Sequence, residues 1–274
     1  MIRELFNNAR KIVIKFGSNT LAGSDGRIND ALLAEFAEQA AALIKEGKQI
    51  AIVSSGAQLA GLSAMDKWER KRDLHYRQAL CAVGQVKLMN AWERAFAPQG
   101  IQIAQILLTR NDFADNTRTL NMRNTLFTLV DEGVVPIINE NDTVSVEEIK
   151  IGDNDTLAAQ SAILWSADLL VLFSDIDGLY DKNPREHPDA KIISEVRDIK
   201  AARQSASSAG KTGGSVRDDG GAGEFGTGGI ITKLDAAERA VSYGIPMILA
   251  HGGRKRALEA LAAGTGQGTA FLVG

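Results

Sequence analysis

A single cysteine, Cys81, stands in 274 residues, so neither an intrachain disulfide framework nor a cysteine-cluster zinc site can be built. Three histidines occur, His75, His187 and His251, far apart and without ligand spacing. No zinc site is expected from them. An excess of basic charge is also missing: 31 Lys+Arg against 34 Asp+Glu leave a formal charge of −3. A protein that coats nucleic acid needs that excess, so no nucleic-acid partner is expected, although a local basic site for a phosphorylated ligand stays open. No window of about 18 apolar residues is present, which argues against a transmembrane helix and a membrane partner. The N-terminus, Met1-Ile2-Arg3-Glu4-Leu5-Phe6-Asn7-Asn8, lacks the charged-then-apolar plan of a secretory signal. These absences point to a cytoplasmic chain. What is there, 45% hydrophobic and 24% charged residues, suits a globular protein with a sizeable core.

Short apolar, β-branched runs alternate with longer helical patterns. Strands are predicted at Lys11–Phe16, Gln49–Ser54, Gln102–Thr109, Val134–Asn139, Leu169–Ser174 and Pro246–Ala250. Most are apolar on both faces, as parallel strands covered by helices on each side must be. A helix is predicted at Asp30–Glu46, where Leu32, Leu33, Phe36, Ala40, Leu43 and Ile44 form one stripe and Gly47 closes it. Arg72–Phe96, Arg118–Glu132, Asp155–Trp165 and Ile231–Tyr243 read as further helices. The β-α-β-α order predicts an α/β fold, an αβα sandwich around a mostly parallel sheet. Such sheets bind ligands beyond the carboxyl ends of their strands. Polar or glycine-rich residues stand there: Gly17-Ser18-Asn19, Ser54-Ser55-Gly56-Ala57, Asn139-Glu140-Asn141-Asp142 and Asp175-Ile176-Asp177-Gly178. Together they suggest one clustered site.

Residues 205–229 are the expected exception to regular structure, with nine glycines in 25 positions. Two motifs inside this stretch mislead. Ala209-Gly210-Lys211-Thr212 ends like a phosphate-binding P-loop, yet Ser205 stands where the first glycine belongs and no strand leads in. Gly221-Ala222-Gly223-Glu224-Phe225-Gly226 has the letters of a dinucleotide fingerprint but follows no strand.

Four features could carry chemistry. Lys15 lies inside an apolar strand, where it either snorkels to solvent or faces an anion such as a phosphate. Ser54-Ser55-Gly56-Ala57 joins strand to helix, and serves either as an ordinary serine N-cap or as an anion-binding helix start. Asn139-Glu140-Asn141-Asp142 and Gly152-Asp153-Asn154-Asp155 flank Thr143–Ile151, which alternates enough for a β-hairpin that would bring both clusters together. They read as turn chemistry with an N-cap at Asn154 or Asp155, or as acceptors for an ammonium and donors for a carboxylate, a set suited to a zwitterionic amino acid. Gly226-Thr227-Gly228-Gly229-Ile230-Ile231-Thr232-Lys233 is a flexible linker with a surface lysine, or a phosphate cradle opening a helix. Cys81 reads as a packed thiol.

These segments, in this order along nearly the whole chain, resemble the amino-acid kinase family, and within it the branch that phosphorylates glutamate. The matching pieces are Ile14-Lys15-Phe16-Gly17-Ser18, Val53-Ser54-Ser55-Gly56-Ala57, Ala82-Val83-Gly84-Gln85 and Leu107-Leu108-Thr109-Arg110. Further on come Pro136-Ile137-Ile138-Asn139-Glu140-Asn141-Asp142, Gly152-Asp153-Asn154-Asp155, Ser174-Asp175-Ile176-Asp177-Gly178-Leu179-Tyr180 and Gly226-Thr227-Gly228-Gly229 with Thr232-Lys233. Acetylglutamate kinases carry a His-Gly-Gly-Gly type loop where this chain has Ser54-Ser55-Gly56-Ala57.

The resemblance implies transfer of a phosphoryl group from ATP, with Mg²⁺, to the γ-carboxylate of L-glutamate, the first step towards proline, which would act as feedback inhibitor. It implies catalytic roles for Lys15, Lys233 and Asp155. It assigns substrate binding to Ser55, Gly56, Ala57, Asn139, Asp142, Asp153 and Asn154. Nucleotide binding falls to Lys15, Ser174, Asp175, Thr227, Gly228, Gly229, Ile230, Ile231, Thr232 and Lys233. It further implies a homo-oligomer and one kinase domain, residues 1–168 for the acceptor and 169–274 for the nucleotide. Many bacterial relatives continue into a domain resembling RNA-modification modules, and none is expected here after Gly274. A sister kinase with another acceptor, such as acetylglutamate, aspartate, carbamate or a nucleotide monophosphate, and a ligand sensor on the same fold are the competing readings.

Overall fold

The computed structural model describes residues 1–65, 73–145, 154–182, 184, 186–210 and 229–274, the stretch 205–210 by its backbone. Its helices and strands follow in chain order. A short helix α1 (Ile2–Asn8) leads into β1 (Lys11–Phe16), the one-turn α2 (Ser18–Leu21), α3 (Asp30–Lys45) and β2 (Gln49–Ser54). Helices α4 (Ala57–Met65) and α5 (Leu74–Phe96) follow, then β3 (Ile103–Leu108), α6 (Asn116–Asp131) and β4 (Val135–Glu140). The second half holds α7 (Asp155–Trp165), β5 (Leu169–Ser174), β6 (Glu195–Val196), α8 (Ile199–Gly210), α9 (Ile230–Ser242), β7 (Met247–His251), α10 (Ala257–Ala263) and β8 (Thr269–Phe271).

The eight strands form one sheet in the order β3-β4-β2-β1-β5-β7-β8-β6. Strands β3, β4, β2, β1, β5 and β7 all run parallel, and β8 pairs antiparallel with β7. The mostly parallel α/β sandwich is thus as expected. Alternation along the strands fills two cores. Ile12, Ile14 and Phe16 of β1 point into one, with Phe36 of α3 and Trp92 of α5. Val13 points into the other, with Leu157 and Trp165 of α7 and Leu234 of α9. Since successive side chains alternate, Lys15 shares the face of Val13 and meets α7 and α9.

Several strands are entered through the same device. At the end of α3, Gly47 (φ +86°) takes a left-handed conformation, Gly47 N donates to Ile44 O (2.9 Å) and Lys48 N to Leu43 O (3.0 Å). This is a Schellman end, which glycine permits without steric penalty, and β2 starts at once. The same pair of hydrogen bonds, with Gly133 and Gly244, turns α6 into β4 and α9 into β7. Helix termination and strand entry are therefore written locally in the sequence.

The six predicted strands lie within a residue of their expected ends and the five predicted helices within two; the helix expected from Arg72 starts at Leu74, and Arg72 itself lies outside the described residues. Two expectations changed. Residues 205–210, counted with the irregular glycine-rich stretch, continue α8, because the glycines begin only at Gly210. Strands β6 and β8, two and three residues long, are too short to leave a periodic signal. The predicted hairpin lies mostly outside the described residues, as do both misleading glycine motifs except for the backbone of Ala209 and Gly210. Of the hairpin, Thr143 and Val144 lie in a turn over residues 142–144.

The β2–α4 loop is held in place by a close helix crossing. A Cβ on Gly84 of α5 would lie 1.8 Å from Ala57 O and 2.4 Å from Gly61 N of α4. Both are backbone atoms, which cannot swing aside. Gly84→Ala is expected to destabilise the chain by about 3 kcal/mol, an overpacking cost at the upper end of the usual range. Denaturant unfolding checks this, and a loss under 1 kcal/mol would show that the two helices can part freely.

Candidate active site

Chain connectivity brings the candidate residues together. After β1 the chain runs out to β2, and later returns to β5 on the other side of β1. The carboxyl ends of β1, β2, β4 and β5 therefore open towards one crevice, the arrangement that makes binding sites in open α/β sheets.

At its centre is Asp155, the first residue of α7, with no exposed surface. Lys15 Nζ reaches Asp155 Oδ1 at 2.5 Å. Lys233 Nζ, from the first turn of α9, reaches Asp155 Oδ2 at 3.1 Å. Both lysines are buried. Thr232 Oγ1 donates to the same Oδ2 (3.3 Å). Two ammonium groups from distant segments thus converge on one carboxylate, which orders them and offsets their mutual repulsion. Lys15 does not snorkel to solvent. An acid at a helix start also meets the positive end of the helix dipole. Gly229 caps α9, Ile230 and Ile231 open its first turn, and Ile231 faces solvent. Thr227 and Gly228 lie outside the described residues.

The adjacent residue, Asn154, belongs to a second cluster. Its Nδ2 donates to Ser55 Oγ (3.0 Å) and to Asn139 Oδ1 (2.7 Å). Asn139 Nδ2 in turn donates to Gln85 Oε1 (2.9 Å). All four side chains are buried. Asn154 occupies the N-cap position of α7, yet its side chain makes no capping bond. Nor does Ser54 cap α4: its hydroxyl accepts from Trp92 Nε1 (2.9 Å) and donates to Ser55 O (3.0 Å). The side-chain oxygen of Asn154 and the side-chain nitrogen of Gln85 have no hydrogen-bond partner among the described residues. Buried polar atoms are rarely left so. One acceptor and one donor are available there, the pair a zwitterion can satisfy. Gln85 was noticed in the sequence only as a motif letter; its helical position gave no sign that it closes this cluster.

Gly56 holds φ +106°, and a Cβ there would press to 3.3 Å against Ile28 and Leu21. The positive φ favours glycine, the methyl ends of Ile28 and Leu21 would have to give slightly for a Cβ, and the residue directs Ala57 into the start of α4. Asp142, in the turn after β4, is buried. Its carboxyl is pushed up to about 6: burial raises it, a hydrogen bond from the Cys81 thiol opposes, Glu140 raises it further and Arg77 holds it back. Asp153 lies outside the described residues.

On the far side of Lys233, Ser174 ends β5 and donates to Asp175 Oδ1 (3.0 Å), while Asn19 Nδ2 donates to Oδ2 (3.0 Å). Burial would raise the Asp175 carboxyl, but these hydrogen bonds and the charge of Lys233 hold it below the usual carboxylate range. Asp177 is turned outward to Arg254 (2.5 Å). His75 and His187 are exposed. Among the described residues no helix is long and apolar enough to cross a membrane.

Comparison with known proteins places the whole chain in a family. The family model described as "Amino acid kinase family" matches residues 10–251. A protein of Alkaliphilus metalliredigens named glutamate 5-kinase is 56% identical over 274 residues, covering 100% of both chains. The glutamate 5-kinase of Treponema pallidum is 43% identical, covering 99% of each. That of Geobacter sulfurreducens is 45% identical and covers 98% of this chain but 69% of its own length. Among solved structures, a UMP kinase of Bacillus anthracis superposes with a TM-score of 0.63 at 15% identity, covering 97% of this chain and 96% of that one. The latter likeness is one of fold. By the family match and by the identity with these relatives, the chain is a member of the amino acid kinase family.

Proposed function

We propose that this chain is a kinase that transfers the γ-phosphoryl group of ATP to the γ-carboxylate of L-glutamate, giving γ-glutamyl phosphate and ADP in the first step towards proline. The observation that carries this reading is the Lys15–Asp155–Lys233 ion cluster, joined through a single peptide bond to the amide-lined pocket at Asn154. The relatives named glutamate 5-kinase support the choice of acceptor.

The chemistry asks little covalent help from the protein. A glutamate carboxylate oxygen is already a nucleophile. It forms the new bond to phosphorus as the bond from phosphorus to the bridging oxygen breaks, and that electron pair leaves with ADP. The obstacle is repulsion between two anions, together with charge on the transferred group. Lys15 and Lys233 counter both, and Asp155 keeps them fixed in advance, so little reorganisation is needed when charge shifts. Ser55, Gly56, Ala57, Asn139, Asp142, Asp153 and Asn154 hold and orient the acceptor, Asp142 taking its ammonium. Ser174, Asp175 and the segment Thr227, Gly228, Gly229, Ile230, Ile231, Thr232 and Lys233 hold the nucleotide, with N–H groups at the start of α9 towards its phosphates. Residues 1–168 thus serve the acceptor and 169–274 the nucleotide.

Asp155 commits both oxygens to ammonium groups, so in this reading Mg²⁺ is held chiefly by the phosphates of ATP. Bound there, the metal neutralises charge across the phosphoryl oxygens. The reading includes a cytoplasmic homo-oligomer inhibited by proline.

Trapping the product with hydroxylamine tests the proposal. Glutamate, ATP and Mg²⁺ are expected to give the γ-hydroxamate, while ATP consumption with aspartate, acetylglutamate, carbamate or a nucleoside monophosphate stays near background. Absence of hydroxamate, or equal turnover of another acceptor, overturns it. Lys15→Ala and Lys233→Ala are each expected to lower kcat by about 10²–10³-fold, the scale of losing one preorganised charge-stabilising donor. Their glutamate KM should move far less, whereas Asp142→Ala should raise that KM. Steady-state kinetics with unchanged kcat in both lysine variants would remove their assigned role.

A binding carboxylate held in a buried place also weakens the fold. Asp142 titrates at about 6 in the folded chain and near the ordinary value of about 3.9 when unfolded. The folded state holds the proton more tightly, so this group's contribution is fully present below about pH 4 and is lost as pH rises through about 6. Asp142→Asn is therefore expected to raise Tm at pH 8, with the difference vanishing below pH 4. Thermal melts across that range check the sign.

A further inference from the structure

The buried amides of Asn154, Asn139 and Gln85 form a chain whose direction is set by the backbone. Glu140 N, which can only donate, gives its hydrogen to Asn139 Oδ1 at 2.9 Å. That end of the Asn139 amide is therefore its oxygen, and the same oxygen accepts from Asn154 Nδ2 (2.7 Å). The nitrogen end then donates to Gln85 Oε1 (2.9 Å). Turning any of the three amides over would set donor against donor or acceptor against acceptor. Two atoms are left over, Asn154 Oδ1 and Gln85 Nε2. Neither has a hydrogen-bond partner among the described residues, and neither touches solvent. Asn154 is 1% exposed and Gln85 8%. A buried donor or acceptor without a partner is costly, and a bound molecule that meets both atoms offsets that cost.

We propose that Gln85 is a further acceptor-binding residue, whose side-chain nitrogen donates to the α-carboxylate of the amino-acid substrate. The proposal rests on the glutamate-kinase reading and deepens it by naming a residue that selects the acceptor. In that reading the γ-carboxylate lies towards Lys15 and Lys233, where the phosphoryl group is transferred. Asn154 adjoins their cluster, and Gln85 stands two hydrogen bonds further along the amide chain. Glutamate carries its second carboxylate three carbons from the first, so the remote donor meets the remote anion. The ammonium between them takes the free oxygen of Asn154 as well as Asp142. Helix α5 also reaches the Asp142 turn, where Gln78 Nε2 donates to Asp142 O (3.2 Å). Gln78 and Gln85 share one face of that helix, which therefore spans the pocket from ammonium to α-carboxylate. Because the two unmet atoms do not touch solvent, the amino acid must part the pocket slightly to reach them.

A site that reserves a donor for a substrate group rejects a molecule lacking that group, since the donor then stays unpaired. The compound 4-aminobutyrate is glutamate without its α-carboxylate. It keeps both the ammonium and the carboxylate that would accept the phosphoryl group, so it isolates the contact assigned to Gln85. On the protein side, Gln85→Met keeps the length of the side chain and removes its polar atoms. Gln85→Glu keeps an acceptor for Asn139 Nδ2 and puts in place of the donor an oxygen that repels a carboxylate.

The test is hydroxamate formation by the full chain from glutamate and from 4-aminobutyrate, in wild type, Gln85→Met and Gln85→Glu. Both variants are expected to raise the glutamate KM by about 10–100-fold, the range of one hydrogen bond to a charged group. The kcat and the KM for ATP should change little, as for a contact equally strong before and during transfer. For 4-aminobutyrate, kcat/KM should stay within about threefold of wild type, because the lost donor has no partner in that molecule. Should 4-aminobutyrate not be turned over, its inhibition constant against glutamate is compared instead. An equal loss with both amino acids marks a packing role and overturns the proposal, and so does an unchanged glutamate KM. Wild-type protein that uses both compounds equally well overturns it too. If Gln85→Met does not fold, Gln85→Glu, which preserves the bond to Asn139, carries the comparison. Wild-type protein that forms no hydroxamate from glutamate shows that the kinase reading itself has failed. Wild-type turnover with both variants unaltered defeats only the role of Gln85.

Discussion

Everything at the rim of this sheet is organised around one buried carboxylate. Asp155 has no exposed surface and receives Lys15 from a central strand and Lys233 from a helix more than two hundred residues further on. Neither lysine would rest comfortably in the interior alone, since an isolated buried charge costs several kcal/mol. Without the two ammonium groups, Asp155 would be equally misplaced. The three side chains are therefore mutually dependent, and the segments that carry them must fold together. In the proposed reaction this dependence becomes preorganisation, because cationic groups already fixed in place need not rearrange as charge moves.

The amide-lined pocket is attached to this cluster at the start of α7, where Asn154 turns to Ser55 and Asn139 while Asp155 turns to the lysines. One helix start thus sets the distance between two different environments. Helix α5 completes the pocket from the side, through Gln78 and Gln85, and its close crossing with α4 fixes the loop at Ser55–Ala57. The packing of two helices and the placing of polar side chains are here one constraint. This explains why a polar helix face with little surface exposure lies beside strands that are otherwise wholly apolar.

Local signals made much of the scaffold legible. Apolar β-branched runs marked β1, β2 and β5 to the residue, because strands buried on both faces admit little else. Gly47, Gly133 and Gly244 marked helix ends, because a Schellman turn needs the backbone freedom that glycine has. The two-residue β6 and three-residue β8 left no readable pattern. The candidate residues were legible as motif pieces, but Lys15 could have faced solvent or an anion. Gln85 gave no local sign at all, since its partner Asn139 lies more than fifty positions away.

Residue order alone determined an α/β chain with helices on both faces of a parallel sheet, since strand and helix periodicities and glycine helix ends act over a few neighbouring residues. Only the tertiary structure decided which turns share a crevice and that Lys15 looks inward to Asp155. Those choices depend on strand order and on desolvation, and both arise when distant segments exclude water together.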